Sequence, residues 1–217
     1  MRLVIDTDTA SDDAVALLLA LRTPGVTVEA VTTVAGNVPL PQATRNALVT
    51  IEFAGADVPV HPGRAAPLLR PLRTAQDVHG QDGMGGARLP EPTRSPRPEH
   101  AVDTLIRLAR AHPGELTLVT LGPLSNVAAA LLIEPRLLRR YRRVYCMAGA
   151  PDAQGNVTAV AEYNMWADPE AAAIVLAAAG DITLIGWNVS REHAVITPDD
   201  QERLRALNSP RADFVLE

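Results

Sequence analysis

An open, mostly parallel α/β sheet with crossover helices is the fold the sequence predicts, on three observations. Short β-branched runs alternate with alanine- and leucine-rich stretches of helical length, the rhythm of strands joined by helices. The 217 residues, 47% hydrophobic and 21% charged, suit one large core, so residues 1–217 are expected to form a single domain. The two longest polar connections both begin where a strand ends, the side on which open parallel sheets bind ligands.

About five strands are expected, drawn from the candidate runs Arg2 to Ile5, Val28 to Val34, Val58 to His61, Leu116 to Leu121, Val144 to Met147 and Ile182 to Ile185. Helices are expected over Asp12 to Arg22, Pro41 to Ala54, His100 to Ala111, Leu124 to Ile133, Pro169 to Ala178 and Asp199 to Leu207. Ser11 before the first, Ser125 near the fourth and Asp168-Pro169-Glu170 at the fifth read as start signals. Arg211 to Glu217 looks like a further helix. The long connections are Gly63 to Glu99, rich in proline, arginine and glycine, and the polar Gly149 to Asn164.

Composition excludes several functions. All 20 basic residues are arginine, so no amine is available for a Schiff base or a Walker-type phosphate lysine. A net charge of -5 offers no basic face for a nucleic acid, and the run Arg136, Arg139, Arg140, Arg142 and Arg143 reads as a solvated surface. The apolar stretches Ala14 to Leu21 and Ala171 to Ala179 fall short of the roughly 18 residues that cross a bilayer. With no signal sequence visible at the N-terminus, a cytoplasmic location and no membrane partner are expected. Cys146, alone, forms no internal disulfide and has no zinc-ligand spacing around it.

The sharpest feature is Val4-Ile5-Asp6-Thr7-Asp8-Thr9-Ala10-Ser11-Asp12-Asp13-Ala14, four carboxylates in a strand-to-helix junction. Two carboxylates 4 Å apart repel by about 4 kcal/mol at an effective dielectric near 20, so the cluster needs compensation. A hard divalent cation is the simplest form of it. Helix capping accounts for one or two of the four, not for all. Adjacent helical side chains diverge by about 100°, so one of Asp12 and Asp13 can face a metal while the other faces a ligand.

Asp6-Thr7-Asp8 followed by Asp12-Asp13-Ala14 resembles the N-terminal motif of the inosine-uridine-preferring nucleoside hydrolases. Three further stretches match in order: Val34-Ala35-Gly36-Asn37, Leu121-Gly122-Pro123-Leu124-Ser125-Asn126, and Gly155-Asn156-Val157-Thr158 running through Ala161-Glu162-Tyr163-Asn164 to Asp168-Pro169-Glu170-Ala171. The resemblance covers roughly residues 3 to 195. It implies the family's Rossmann-like fold and a calcium-dependent hydrolysis of the N-glycosidic bond of ribonucleosides to free base and ribose, in nucleoside salvage, by a homo-oligomer. It also implies that Asp8 binds calcium and acts as general base, that Asp13 and the backbone carbonyl of Leu121 are further metal ligands, and that Asp12, Asn37, Asn156, Glu162 and Asn164 surround the ribose. Asp6 would brace the loop and His79 would lie near the base, tilting the preference toward pyrimidine-tolerant or nonspecific. Independently of the family, cleaving a C–N glycosidic bond builds positive charge on the ribose, which carboxylates and amide oxygens stabilise. Met147, at a strand end, is expected in the core, with a place lining the sugar pocket as the alternative, and Trp166 and Trp187 are expected to be packing residues.

The sequence departs from the family at its far end. A last calcium carboxylate, preceded by a histidine, is expected from a segment beyond residue 217, and His193, followed by Ala194, does not supply it. The expectation is a chain lacking the C-terminal part of the family domain. A non-catalytic, ribose- or nucleoside-binding relative is the alternative reading. A phosphoaspartyl phosphotransferase, suggested by Asp6-x-Asp8, is disfavoured by the absence of lysine.

Overall fold

The computed structural model describes residues 1–87 and 89–216. Strands β1 (Arg2–Thr7), β2 (Thr27–Thr33), β3 (Val60–Pro62), β4 (Leu116–Thr120), β5 (Arg143–Met147) and β6 (Ile182–Ile185) form one sheet in the order β3-β2-β1-β4-β5-β6, and every pairing is parallel. The order reverses between β1 and β4. Connections leaving these two strands diverge to opposite halves of the sheet, opening the crevice in which doubly wound folds bind their ligands.

Helices α1 (Ser11–Arg22), α2 (Leu40–Phe53), α3 (Gln76–His79), α4 (Ala101–Ala111), α5 (Ser125–Ile133), α6 (Leu137–Arg140), α7 (Tyr163–Ala167), α8 (Pro169–Ala177), α9 (Trp187–His193), α10 (Pro198–Ala206) and α11 (Pro210–Leu216) surround the sheet. Side chains alternate across β1, so Val4 joins Leu118, Val144 and the apolar faces of α4, α5 and α8. Leu3 and Ile5 join Val31 and the inner faces of α1 and α2 on the other side. None of the helices is long and apolar enough to cross a membrane among the described residues.

The six candidate strands are all present, one more than the count of about five. β1 runs two residues further than expected because Asp6 and Thr7 stay in register with Thr32 and Thr33 of β2. The third strand is displaced to Val60–Pro62. α3, α6, α7 and α9 were not expected; at four to seven residues they are too short to show a 3.6-residue period. Ser11 is not the cap of α1. Ala10 holds that position without a side-chain bond, and the Ser11 hydroxyl lies 3.1 Å from His79 Nδ1. The signal at α8 is as read: Asp168 accepts from the Ala171 N–H at 3.1 Å and Pro169 opens the helix. α10 starts at Pro198, before the expected Asp199, because Thr197 and Asp200 form a reciprocal capping box. The final helix ends at Leu216, and Glu217 lies outside the described residues.

Asn126, at the start of α5, ties the two halves of the sheet to the long loop. Its Nδ2 donates to Asp6 Oδ1 at 2.8 Å and to the Thr33 carbonyl at 3.0 Å, while its Oδ1 accepts from the Arg64 N–H at 2.8 Å. Gly63 packs so closely that a Cβ there would overlap the Asn126 amide. Asn126→Leu is expected to destabilise the fold by about 2–4 kcal/mol, because three buried partners lose their bonds at once. A urea midpoint within error of the unaltered protein would refute the role of this amide as a structural tie.

Candidate active site

The carboxylates gather where β1 turns into α1. Asp6, the last buried acid on the strand, accepts from Thr32 Oγ1 at 2.5 Å and Asn126 Nδ2 at 2.8 Å, both on Oδ1. Its Oδ2 is buried without a partner. Burial pushes this carboxyl up to about 7, against the lowering effect of those two bonds.

Asp8 lies one turn of chain further on, fully buried. Its Oδ2 accepts from the Asn37 N–H at 2.5 Å, while Oδ1 has no partner. Burial raises it to about 6, and the Asn37 bond opposes that. Two glycines make room for it: a Cβ on Gly36 would overlap Asp8 Oδ2, and a Cβ on Gly122 would sit 2.7 Å from Asp8 Oδ1. These are the glycines of the second and third motifs, so the backbone approaches Asp8 from both β2 and β4. Asp13 is held by Thr7 Oγ1, which donates to its Oδ2 at 2.6 Å; burial first, then the neighbouring Asp8 and Asp12 charges, push it well above the usual carboxylate range. Asp12 is exposed, 3.9 Å from His79 Nδ1.

The connecting loop is strained where it serves this cluster. Thr9 has φ 27°, a backbone region β-branched residues avoid, at a cost of about 1–3 kcal/mol. The Thr9 N–H donates to Thr7 Oγ1 at 2.9 Å, and its carbonyl accepts from Asn46 Nδ2 at 3.0 Å. Asn46, on α2, was not singled out in the sequence; the visible signal was an amide on an otherwise apolar helix face.

Above the carboxylates opens a cavity of about 330 Å³. Asp12, Asp13, Asn37, His79, Leu121, Asn156, Glu162 and Asn164 line it, which brings together eight of the predicted site residues; Asp8, bonded to Asn37, and Asp6 are fully buried and do not line it. Asn164 spends both Nδ2 hydrogens on the carbonyls of Leu121 (2.7 Å) and Met147 (3.0 Å). Glu162 caps α7: Oε1 accepts from the Asn164 N–H at 2.8 Å, and Oε2 from Gly149 (2.8 Å) and Met165 (3.2 Å). A carboxylate offers about four acceptor positions, so Oε1 retains one for a ligand hydroxyl. Asn156 Oδ1 accepts from the Tyr163 N–H at 2.8 Å, leaving its amide donors for the cavity. Met147, expected in the core with this place as the alternative, and Trp187, expected to be a packing residue, are half-buried and line the cavity, as does Tyr163. Trp166 lies outside it.

A hard cation fits this donor set in part. Asp8 and Asp13 are adjacent oxygen donors without an ion-paired arginine among the described residues, and Asp8 Oδ1 is buried and unpartnered. Leu121 O has one lone pair left beside the Asn164 bond. No group of three or more His, Cys, Asp or Glu side chains converges on one point among the described residues. Three protein oxygens stand against the six to eight that calcium takes.

Carboxylates, amides and a backbone carbonyl thus gather around one cavity at the topological switch point of a parallel sheet. Comparison with known proteins identifies the class: residues 3–217 match the inosine-uridine preferring nucleoside hydrolase family, and the chain belongs to it. It is 40% identical to a non-specific ribonucleoside hydrolase, RihC, of Salmonella enteritidis, over 96% of this chain and 67% of that protein. It is 38% identical to a probable uridine nucleosidase 2 of Arabidopsis thaliana, over 99% of this chain and 67% of the relative. Among solved structures, the plant nucleoside hydrolase PpNRh1 superposes with a TM-score of 0.92 at 40% identity, covering 99% of this chain and 68% of that one. The chain spans 63 to 67% of the length of the curated relatives it matches first.

Proposed function

We propose that this protein hydrolyses the N-glycosidic bond of ribonucleosides to free base and ribose with the help of a calcium ion. The observation that carries this reading is the buried, unpartnered Oδ1 of Asp8 beside a cavity walled by carboxylates and amides. Relatives named as a uridine nucleosidase and a non-specific ribonucleoside hydrolase support it.

In this reading the ribose sits on Asp12, Asn37, Asn156, Glu162 and Asn164, with Asp12 and the free Glu162 lone pair accepting from its hydroxyls. Asp8, Asp13 and the Leu121 carbonyl would hold the ion, which lowers the pKa of a water it binds. Asp8 accepts a proton from the attacking water as the new C–O bond forms at the anomeric carbon. The C–N bond breaks with its electron pair going to the base, beside which His79 is placed; the base nitrogen takes a proton from solvent, and Asp8 returns its own to solvent. Positive charge on the sugar ring grows toward the surrounding carboxylates, and they stabilise it more than the neutral ground state. Asp6 exchanges no proton with substrate or water in this scheme; it fixes Asn126 and the end of β1. A cytoplasmic site of action and self-association belong to the same reading.

A non-catalytic, nucleoside-binding role is the second reading, favoured by the incomplete set of acidic metal ligands. Incubating the protein with excess calcium chloride and inosine, uridine or cytidine, and following free base by chromatography, separates the two. Base release from uridine is expected. Binding of ribose or nucleoside with no base released from any of the three would overturn the hydrolase reading in favour of the binding one.

A further inference from the structure

Two walls of the cavity come from segments joined by one charged side chain, beside a backbone bond and a glycine–proline contact. Asn156 and Val157 belong to the connection 150–161, which has no regular secondary structure between β5 and α7. Trp187 is the first residue of α9, and its N–H donates to the Gly149 carbonyl at 2.8 Å where the connection starts. One turn on, Arg191 reaches back across the same connection. Its Nη1 donates to Gln154 Oε1 at 2.7 Å, and its Nη2 pairs with Asp152 Oδ2 at 2.7 Å and Glu192 Oε1 at 2.9 Å.

Residues 155–161 are closed into a turn by the bonds of the Gly155, Asn156 and Val157 N–H groups to Ala159 and Ala161, while 152–154 lead into that turn without such packing. Ala153 has φ 57°, and Asp152, Ala153 and Gln154 are exposed, so local packing contributes little to its position. Gly186 abuts Pro151, a contact of shape without direction. The planar guanidinium fastens two acceptors in the arm 152–154 at one time, and that arm carries the turn 155–161, whose Asn156 accepts from the Tyr163 N–H.

We infer that Arg191 is a positioning residue: it latches the 150–161 connection to α9 and thereby sets the cavity wall formed by Asn156, Val157 and Trp187. This rests on the cavity being the nucleoside site. The latch is exposed and ionic, so salt screens it, and it is worth up to about five-fold in an equilibrium. Screening by salt is also a signature that a packing role lacks.

Arg191→Met keeps the length of the side chain and removes the charge. Hydrogen exchange of amides 150–161 is expected to quicken several-fold in Arg191→Met, with the rest of the sheet unchanged. KM for uridine is expected to rise about five-fold at low salt with kcat nearly constant, since the chemistry residues are untouched. In the unaltered protein KM should climb with sodium chloride toward that of the variant, which should itself be flat. Arg191→Met and Asp152→Asn should be non-additive in KM. Unchanged exchange in 150–161 would overturn the latch outright, and quickened exchange with unchanged KM would overturn its role in shaping the site. Absence of base release by the unaltered protein is a different result, counting against the hydrolase reading, and the exchange measurement decides the latch in that case too.

Discussion

Asp8→Asn is expected to reduce base release from uridine by about 10³-fold or more, with Asp6→Asn costing no more than a few-fold. Both substitutions replace a carboxyl group by an amide, two residues apart, at equally buried positions. Their surroundings separate them. Each carboxyl has one buried oxygen without a partner, but Asp6 is tied through Oδ1 to Thr32 and Asn126, bonds that an asparagine oxygen also accepts, and neither of those residues lines the cavity. Asp8 is bonded through Oδ2 to the N–H of the cavity-lining Asn37 and keeps its Oδ1 unpartnered against Gly122, and an asparagine there accepts no proton. An amide oxygen can still receive the Asn37 N–H, so the loop is retained. The unfolding midpoint of Asp8→Asn should therefore hold or rise while turnover disappears. Near-normal turnover in Asp8→Asn would remove the general-base assignment, whatever the metal does.

Legibility in the sequence followed the length of the signal. β6 could be placed at Ile182–Ile185 to the residue, and α1, α2, α4, α5, α8 and α10 to within a residue or two at most ends, because each is a run long enough to be marked by its composition, its period or its cap. The cluster from Asp6 to Asp13 was legible because like charges do not crowd a strand end without purpose. Asn46, Thr7 and Asn126 were less so: their work is to satisfy backbone and carboxylate groups that only the fold brings near. Trp187 illustrates the limit more sharply. It belongs to a seven-residue helix, and it reaches the cavity only because β6 sits beside β5, a pairing that no local pattern encodes.

In the presence of a chelator, stability should fall as pH rises from about 4 to 8, the reverse of the usual response of a protein rich in carboxylates. Asp6 holds its proton to about 7 in the folded chain, against an ordinary value of 3.8. Between these values the unfolded chain has released the proton and the folded chain has kept it, so the folded state binds more protons and stability declines with increasing pH. A shift of about three units corresponds to ~4 kcal/mol, fully expressed only above pH 7. Asp8 and Asp13 are raised for the same reason, and they add to the slope in the same direction. Asp6→Asn removes its share and should flatten the curve at its upper end, making the variant the more stable protein at pH 8 and not at pH 4. Calcium should restore stability at pH 8 far more than at pH 4, since it binds the ionised acids and those are protonated in acid. Chemical denaturation at the two pH values, with and without the ion, measures all three effects. A chelated protein equally stable at both would mean that these acids are ionised at no cost, and the case for a compensating cation would go with them.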